Sequence, residues 1–363
     1  MAYRTVLKQA RRVVVKIGSR LLANGQQTQK SLVDEIADLA GPKTSFVVVS
    51  SGAIALGCQR LGYRARPKEV AKLQAAAAAG QSVLMRRYDE YFATHGITAA
   101  QVLITHADLA DRERLNNARQ ALAALLEAGA VPVVNENDTV STEQVQFGDN
   151  DQLAAMVTPL VGAEVLVLLT DVDGVLGEDG RRIPVMTERT RIQEVRTDRD
   201  QVGAGGISSK LDAAWKACRA GATAVIAPAS RPRVLHSILA GADVGTVFPA
   251  TAVTLRARKH WIAFTLRPKG TVVLDEGAVR ALRGGRSSLL PVGVVGVRGQ
   301  FNVGDSVRLV APNGTEIGRG LTRLGTLDVA RSAGLRRAAL GDLFGAAAED
   351  LVVVHKDDLV LEL

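Results

Sequence analysis

Hydrophobic positions along the chain fall into short runs, separated by stretches in which apolar residues recur every three or four positions. Arg12-Val-Val-Val-Lys-Ile17, Phe46-Val-Val-Val49, Ala100-Gln-Val-Leu-Ile-Thr105, Val131-Pro-Val-Val134, Glu164-Val-Leu-Val-Leu-Leu169 and Thr223-Ala-Val-Ile-Ala227 read as buried strands. Between them, Leu32, Ile36 and Leu39, the Ala-rich and then amphipathic stretch from Val70 to His95, and Leu115, Ala118, Leu122 and Leu125 fit helical faces. Leu153, Met156, Val157 and Leu160 make a further helix, and another is expected from about Arg233 to Leu239. Strands alternating with helices at this spacing predict an α/β fold, a mostly parallel open sheet between helix layers. The charged stretch Gly177 to Arg199 lacks apolar periodicity and reads as loop or hairpin. After Thr246-Val-Phe-Pro249 the pattern changes, and short strand-like runs at 272–274, 292–297, 307–310 and 351–354 alternate with glycines. This predicts a first domain over 1–255, a linker over 256–268 and a small β-rich domain over 269–363.

Composition supports that division. The 363 residues are 47% hydrophobic and 23% charged, as in a soluble globular protein with room for two cores. No run approaches the roughly 18 apolar residues of a membrane helix. The basic N-terminal residues lead into a strand pattern rather than a signal core, so a cytoplasmic protein without membrane contact is expected. Cys58 and Cys218 belong to no metal-ligand or redox spacing, and the five histidines form no i, i+4 pair. Chemistry therefore falls to Lys, Asp and Asn. The net charge of +8 is uneven, with 16 Lys+Arg against 11 Asp+Glu in 251–363 and 29 against 26 before it. A basic small domain opens RNA as a partner.

The strand ends carry the chemistry. Val131 to Val134 empties into Asn135-Glu136-Asn137-Asp138, and Gly148-Asp149-Asn150-Asp151 opens the next helix, with Asp149 or Asn150 suited to its N-cap. Turns and caps use the same residue types for backbone reasons alone. Two such clusters flanking one short loop say more: amides donate to a carboxylate and carboxylates accept from an ammonium, a combination suited to a zwitterionic amino acid. Open parallel sheets collect ligands at the carboxyl ends of their strands, so Lys16, Ser50 and Ser51, Asn135 to Asp138, and Thr170 and Asp171 are expected around one crevice. Lys16 precedes Gly18-Ser19, an arrangement that can aim an ammonium at phosphate, and Ser50-Ser51-Gly52 offers hydroxyls and free amides to an anion. A second glycine loop, Gly203-Ala204-Gly205-Gly206-Ile207-Ser208-Ser209-Lys210, departs from the dinucleotide fingerprint at Ser208 and follows no strand. Lys210 and Lys16 together could neutralise a phosphoryl group from both sides.

These motifs resemble those of the bacterial glutamate 5-kinases, within the amino acid kinase family, carrying a C-terminal domain similar to PUA domains. The resemblance rests on Val13-Val-Val-Lys16-Ile-Gly18, Ser50-Ser51-Gly52-Ala53-Ile54-Ala55, Asp111-Arg-Glu-Arg114, Asn135-Glu-Asn137-Asp138, Gly148-Asp149-Asn150-Asp151, Leu168-Leu-Thr170-Asp171, Gly205-Gly206-x-Ser208-x-Lys210 and Gly285-x-Ser-Ser288-Leu-Leu290. It implies the amino acid kinase fold, transfer of the ATP γ-phosphoryl group to the side-chain carboxylate of L-glutamate with Mg2+, a role opening proline biosynthesis, inhibition by proline, and assembly as a dimer or tetramer. Residue by residue it implies Lys16 and Lys210 at the moving phosphoryl group with Asp151 holding them. It also implies Ser51, Asp138 and Asn150 on glutamate with Asn135 and Asp149 nearby, and nucleotide contacts at Thr170, Asp171, Ala204, Gly205, Gly206, Ile207, Ser208, Ser209 and Lys210; no residue is implied as a direct metal ligand. Ala204 stands where relatives often have threonine, Arg20 where a small residue is usual, and Gly174 to Gly180 lacks the usual tyrosine and proline, differences that bear on the nucleotide rather than on glutamate. Another amino acid kinase, acting on acetylglutamate or aspartate, and an inactive RNA-contacting protein are the alternative readings.

Overall fold

The computed structural model describes residues 2–19, 21, 26–140, 150–187, 206–251, 254–285, 287–345 and 351–361. The chain divides into two compact units, Met1–Thr254 and Leu255–Leu363.

In the first unit, β1 (Arg12–Ile17), β2 (Ser45–Ser50), β3 (Ala99–Ile104), β4 (Val131–Glu136), β5 (Val165–Thr170), β6 (Thr223–Pro228) and β7 (Thr246–Phe248) form one sheet in the order β3-β4-β2-β1-β5-β6-β7. All neighbours pair in parallel except β7, which runs antiparallel to β6. The sequence periodicity anticipates six of these strands within a residue or two; β7, only three residues long, is too short to show one. Strand residues alternate between two cores, as the period of two requires. Val13, Val15 and Ile17 join Phe46, Val48, Val131 and Val133 against the helices Gln26–Leu39, Val70–Ala93 and Val234–Leu239. Val14, Val47, Val49, Val134, Leu166 and Leu168 face the helices Arg112–Glu127, Asn150–Leu160 and Ile207–Arg219. Each fully buried Val or Leu contributes about 1.5–3 kcal/mol over an exposed one.

Two features of this unit set up the site. From β1 the chain next forms β2 on one side of it, while β5 lies on the other, so the order reverses at β1 and a crevice opens at its carboxyl end. The helices Ala53–Arg60 and Val70–Ala93 also meet backbone to backbone. A Cβ on Gly57 would lie 1.7 Å from the Ala76 carbonyl oxygen and one on Gly80 would lie 1.8 Å from that of Ala53, so only glycine allows the approach. The shorter helix starts directly after Gly52, whose φ of 103° lies in the left-handed region that glycine enters freely.

In the second unit, β8 (Gly270–Leu274), β9 (Val294–Gly299), β10 (Ser306–Val310), β11 (Glu316–Thr322) and β12 (Val354–Leu361) form a mixed sheet in the order β12-β11-β10-β8-β9. Val272, Leu274, Val307, Leu309 and Val354 pack with Val279, Leu282 and Val329 from short helices. β11 escapes the periodicity because of Gly318 and Gly320. A Cβ at either would fall 2.3 Å from the Val360 carbonyl oxygen or 2.4 Å from Val354 Cγ1 on β12. The last strand also starts three residues later than expected, at Val354 rather than Leu351. Residues 256–268, expected as a linker, are folded instead: Ala257–His260 is helical, Trp261–Thr265 continues as a π-helical turn, and Ile262 and Ala263 are buried against Val360. Arg258 pairs with Asp358 at 2.7 Å, and Arg319 Nη1 donates to the Ala263 carbonyl at 3.0 Å. Apolar periodicity over so short a stretch gives little sign of this, because the turn buries only a few side chains.

Candidate active site

Lys16 is the fifth residue of β1, where its alternation places it on the face of the helices Asn150–Leu160 and Ile207–Arg219. Both helices present a charged residue from their first turns, Asp151 and Lys210. The three side chains meet. Lys16 Nζ lies 2.7 Å from Asp151 Oδ1, and Lys210 Nζ lies 2.9 Å from Asp151 Oδ2. Asp151 is wholly buried, with Lys16 and Lys210 at 5% and 7% exposure, so one carboxylate bridges two ammonium groups away from bulk water. Its place in the first turn of a helix adds the favourable end of the helix dipole. The cluster keeps a net positive charge, which an incoming anion would meet.

Asn150, the preceding residue, turns to the other side. Its Nδ2 donates toward the Ser50 carbonyl at 2.6 Å, Ser51 Oγ at 2.8 Å and Asn135 Oδ1 at 2.9 Å. Its Oδ1 is buried and has no hydrogen-bond partner among the described residues. Asn135, at the end of β4, also accepts from the Glu136 backbone N–H at 2.9 Å and donates from Nδ2 to Gln81 Oε1 at 2.9 Å. Ser50 Oγ is 2.9 Å from the hydroxyl of Tyr88, a residue so buried that its phenol is pushed up to about 12. Asp138 follows in the turn after β4. It is partly buried, and that desolvation pushes its carboxyl up to about 6 against the opposing pull of Arg66.

On the other flank of β1, Thr170 ends β5 buried, with its hydroxyl 3.3 Å from the exposed Asp171. Gly206 is the N-cap of the helix Ile207–Arg219, whose first turn carries Ser208 and Ser209. The helix is thirteen residues long, and the N-terminus of such a helix suits an anion. Gln152 Nε2 donates to the Ser209 carbonyl at 3.2 Å, and Lys216 Nζ donates to Gln152 Oε1 at 2.6 Å, tying the helices of Asp151 and Lys210 together.

The expected residues therefore divide into two groups meeting at the N-terminus of one helix: Ser51, Asn135 and Asn150 on one side, and Lys16, Asp151 and Lys210 on the other. Asn150 is the first residue of that helix. Asp149, Ala204 and Gly205 lie outside the described residues. Sequence reasoning missed Gln81 and Tyr88 because the Ala-rich helix reads as packing. Their separation of seven residues puts both on the same face of that helix, beside buried Ala77, Gly80 and Leu84, and hydrogen-bonding groups recurring at that spacing on an apolar face were the available signal.

Among the described residues, no helix is long and apolar enough to cross a membrane, and no group of three or more His, Cys, Asp or Glu could hold a metal ion. The amino acid kinase family model matches residues 11–228, and that of the PUA domain matches 270–340. Glutamate 5-kinase from Nitrosospira multiformis is 44% identical, over 98% of this chain and 99% of that protein. Glutamate 5-kinase from Thermus thermophilus is 43% identical, over 97% of this chain and 98% of its own. Among solved structures, N-acetylglutamate synthase from Neisseria gonorrhoeae, complexed with coenzyme A and N-acetyl-glutamate, superposes with a TM-score of 0.52 at 17% identity. It covers 69% of this chain and 62% of its own, a likeness of fold.

Proposed function

Because this chain belongs to the amino acid kinase family, in the glutamate 5-kinase group with its appended PUA domain, we propose that it transfers the γ-phosphoryl group of ATP to the side-chain carboxylate of L-glutamate. The observation that carries this reading is the buried Lys16–Asp151–Lys210 bridge set directly beside the amide of Asn150. A carboxylate oxygen of glutamate attacks the γ-phosphorus, the bond from that phosphorus to the β,γ-bridging oxygen breaks, and ADP and γ-glutamyl phosphate result. The acceptor is already ionised at neutral pH, so no base is needed and the demand is for positive charge along the path of the phosphoryl group. Lys16 and Lys210 supply it, and Asp151 between them holds the two ammonium groups near each other and aimed, against their mutual repulsion. Magnesium arrives with the nucleotide, on whose phosphate oxygens it is readily held.

On the acceptor side, Ser51 accepts from Asn150, leaving its own proton for the substrate α-carboxylate. Asp138 takes the α-ammonium, with Asp149 next to Asn150 in sequence. On the donor side, the helix beginning at Ile207, with Ala204, Gly205, Gly206, Ser208 and Ser209, receives the phosphates, and Thr170 and Asp171 border the nucleotide. Proline carries an α-carboxylate and a secondary ammonium where glutamate has its α-carboxylate and primary ammonium, so it fits the amino acid side of this site as an inhibitor with no acceptor carboxylate to phosphorylate. In this role the enzyme is cytoplasmic and opens proline biosynthesis.

The test is ATP-dependent hydroxamate formation from L-glutamate and hydroxylamine with magnesium, with and without proline. Glutamate-specific product suppressed by proline supports substrate, reaction and regulation together. ATP binding without product from glutamate, but with product from aspartate or acetylglutamate, moves the acceptor assignment within the family.

A further inference from the structure

Four side-chain amides line up behind the amino acid side of the site. Gln101 lies on β3 opposite Val133, and so shares the sheet face of Asn135 and of the helix Val70–Ala93 that carries Gln81. Gln81 Nε2 donates to Gln101 Oε1 at 3.4 Å, Asn135 Nδ2 to Gln81 Oε1 at 2.9 Å, and Asn150 Nδ2 to Asn135 Oδ1 at 2.9 Å. Asn150, Asn135 and Gln81 each point the NH2 group toward Gln101, whose oxygen receives the last of these bonds. Backbone groups fix the same direction at two points: the Glu136 N–H can only donate to Asn135 Oδ1, and the Ser50 carbonyl can only accept from Asn150 Nδ2. The row ends at Asn150 Oδ1, a buried acceptor with no partner among the described residues.

We propose that Gln81 is a positioning residue for amino acid recognition: by accepting from Asn135 Nδ2 it fixes the direction of the amide row, so that Asn150 presents an oxygen, not an NH2 group, to the substrate ammonium. This inference rests on the assignment of glutamate as the acceptor. Asn135 is 3% exposed, so its NH2 group needs an acceptor, and Gln81 supplies it. Without that acceptor the buried Asn135 NH2 group is left unsatisfied, which works against the Glu136 bond that otherwise holds its orientation, and a turned Asn135 would set its NH2 group against that of Asn150. Rotation of Asn150 would then put a donor where the ammonium binds, and two donors repel.

The experiment compares an acceptor-only with a donor-only side chain, reading L-glutamate affinity by calorimetric titration of the full-length protein and hydroxamate formation separately. Gln81→Glu can still accept from Asn135 and is expected to bind glutamate within about threefold of the parent, whereas Gln81→Lys cannot accept and weakens it about tenfold or more. Gln81→Leu, which neither donates nor accepts, is expected to fall between them, and covers the case in which the lysine variant does not fold. ATP affinity stays at the parent value throughout. Glutarate, which is glutamate without the ammonium, provides the signature: the parent prefers glutamate strongly, and Gln81→Lys narrows that preference. Equal affinities in the glutamate and lysine variants, or an unchanged glutamate-to-glutarate ratio, would overturn the proposal. A parent that binds glutamate but does not phosphorylate it overturns the reaction proposed above and leaves the variant comparison valid; a parent that does not bind glutamate overturns both.

Discussion

The two sides of the helix beginning at Asn150 are built from different materials. On the Asp151 side, two ammonium groups share one buried carboxylate, and every member is charged. On the Asn150 side, the contacts around Ser50, Ser51 and Asn135 are made by neutral amides, hydroxyls and a carbonyl. A phosphoryl group in transit needs charge, which acts over distance and tolerates some freedom of position. An amino acid must be told from its neighbours, which takes directional donors and acceptors in fixed places. In the proposed function, adjacent residues of one helix thus divide catalysis from recognition.

The largest expected effect breaks the charged side alone. Lys210→Ala should lower kcat by about 10²–10³, around 3 kcal/mol of transition-state stabilisation, while the affinity for glutamate changes little. Equal losses in both, measured by steady-state kinetics and titration, would mean that the two sides are not separable. Asn150→Ala should show the opposite pattern, a KM for glutamate raised about tenfold to a hundredfold through the loss of buried hydrogen bonds, with ATP binding preserved.

Changing pH sharpens the contrast without mutation. Burial places the ligand-free Asp138 carboxyl at about 6, against 3.8 for the ordinary group. A raised folded value means that the folded protein binds this proton more tightly than the unfolded chain. Ionised Asp138 therefore costs stability, a cost small below about pH 4 and fully present above about pH 6. In the role proposed for Asp138, glutamate binding needs the ionised form, so affinity should be flat above about pH 6 and fall up to about tenfold per unit below it. Asp138→Asn should bind weakly and lose that dependence. The smallest effect on the comparison is expected from Gly80→Ala, whose new methyl group presses on the Ala53 carbonyl. It should cost about 1–3 kcal/mol in chemical denaturation and raise the KM for glutamate a few-fold, leaving that for ATP alone.

Much of this was legible in the sequence, for physical reasons that differ by residue. The parity of Lys16 in β1 follows from a period of two, and a strand buried on both faces advertises itself by an unbroken apolar run. The clusters at Asn135 and Asn150 stood out because polar residues abruptly follow a buried strand or open a helix. That Asp151 bridges both lysines came from family resemblance, since no spacing in the chain brings residues 16, 151 and 210 together. Gln81 and Gln101 were invisible for a similar reason: each looks like an ordinary polar position on a helix or an edge strand, and only the sheet register sets them in line with Asn135. The folded segment at Trp261–Thr265 looks like a linker in the sequence because a single buried turn leaves no repeating pattern.

The glycine contact between the helices Ala53–Arg60 and Val70–Ala93 constrains attempts to redesign this enzyme. With main chain touching main chain at Gly57 and Gly80, the closest approach of the helices is set by backbone, and the side chains of Ile54, Cys58, Leu73, Ala76 and Ala77 pack around a spacing they do not set. The Ser51 turn and Gln81 are mounted on either member of that pair and inherit its fixed separation. A library meant to admit a longer or shorter acceptor would spend its diversity poorly there. Variation in acceptor size is better sought in the turn carrying Asp138, which follows β4 and does not belong to that pair of helices.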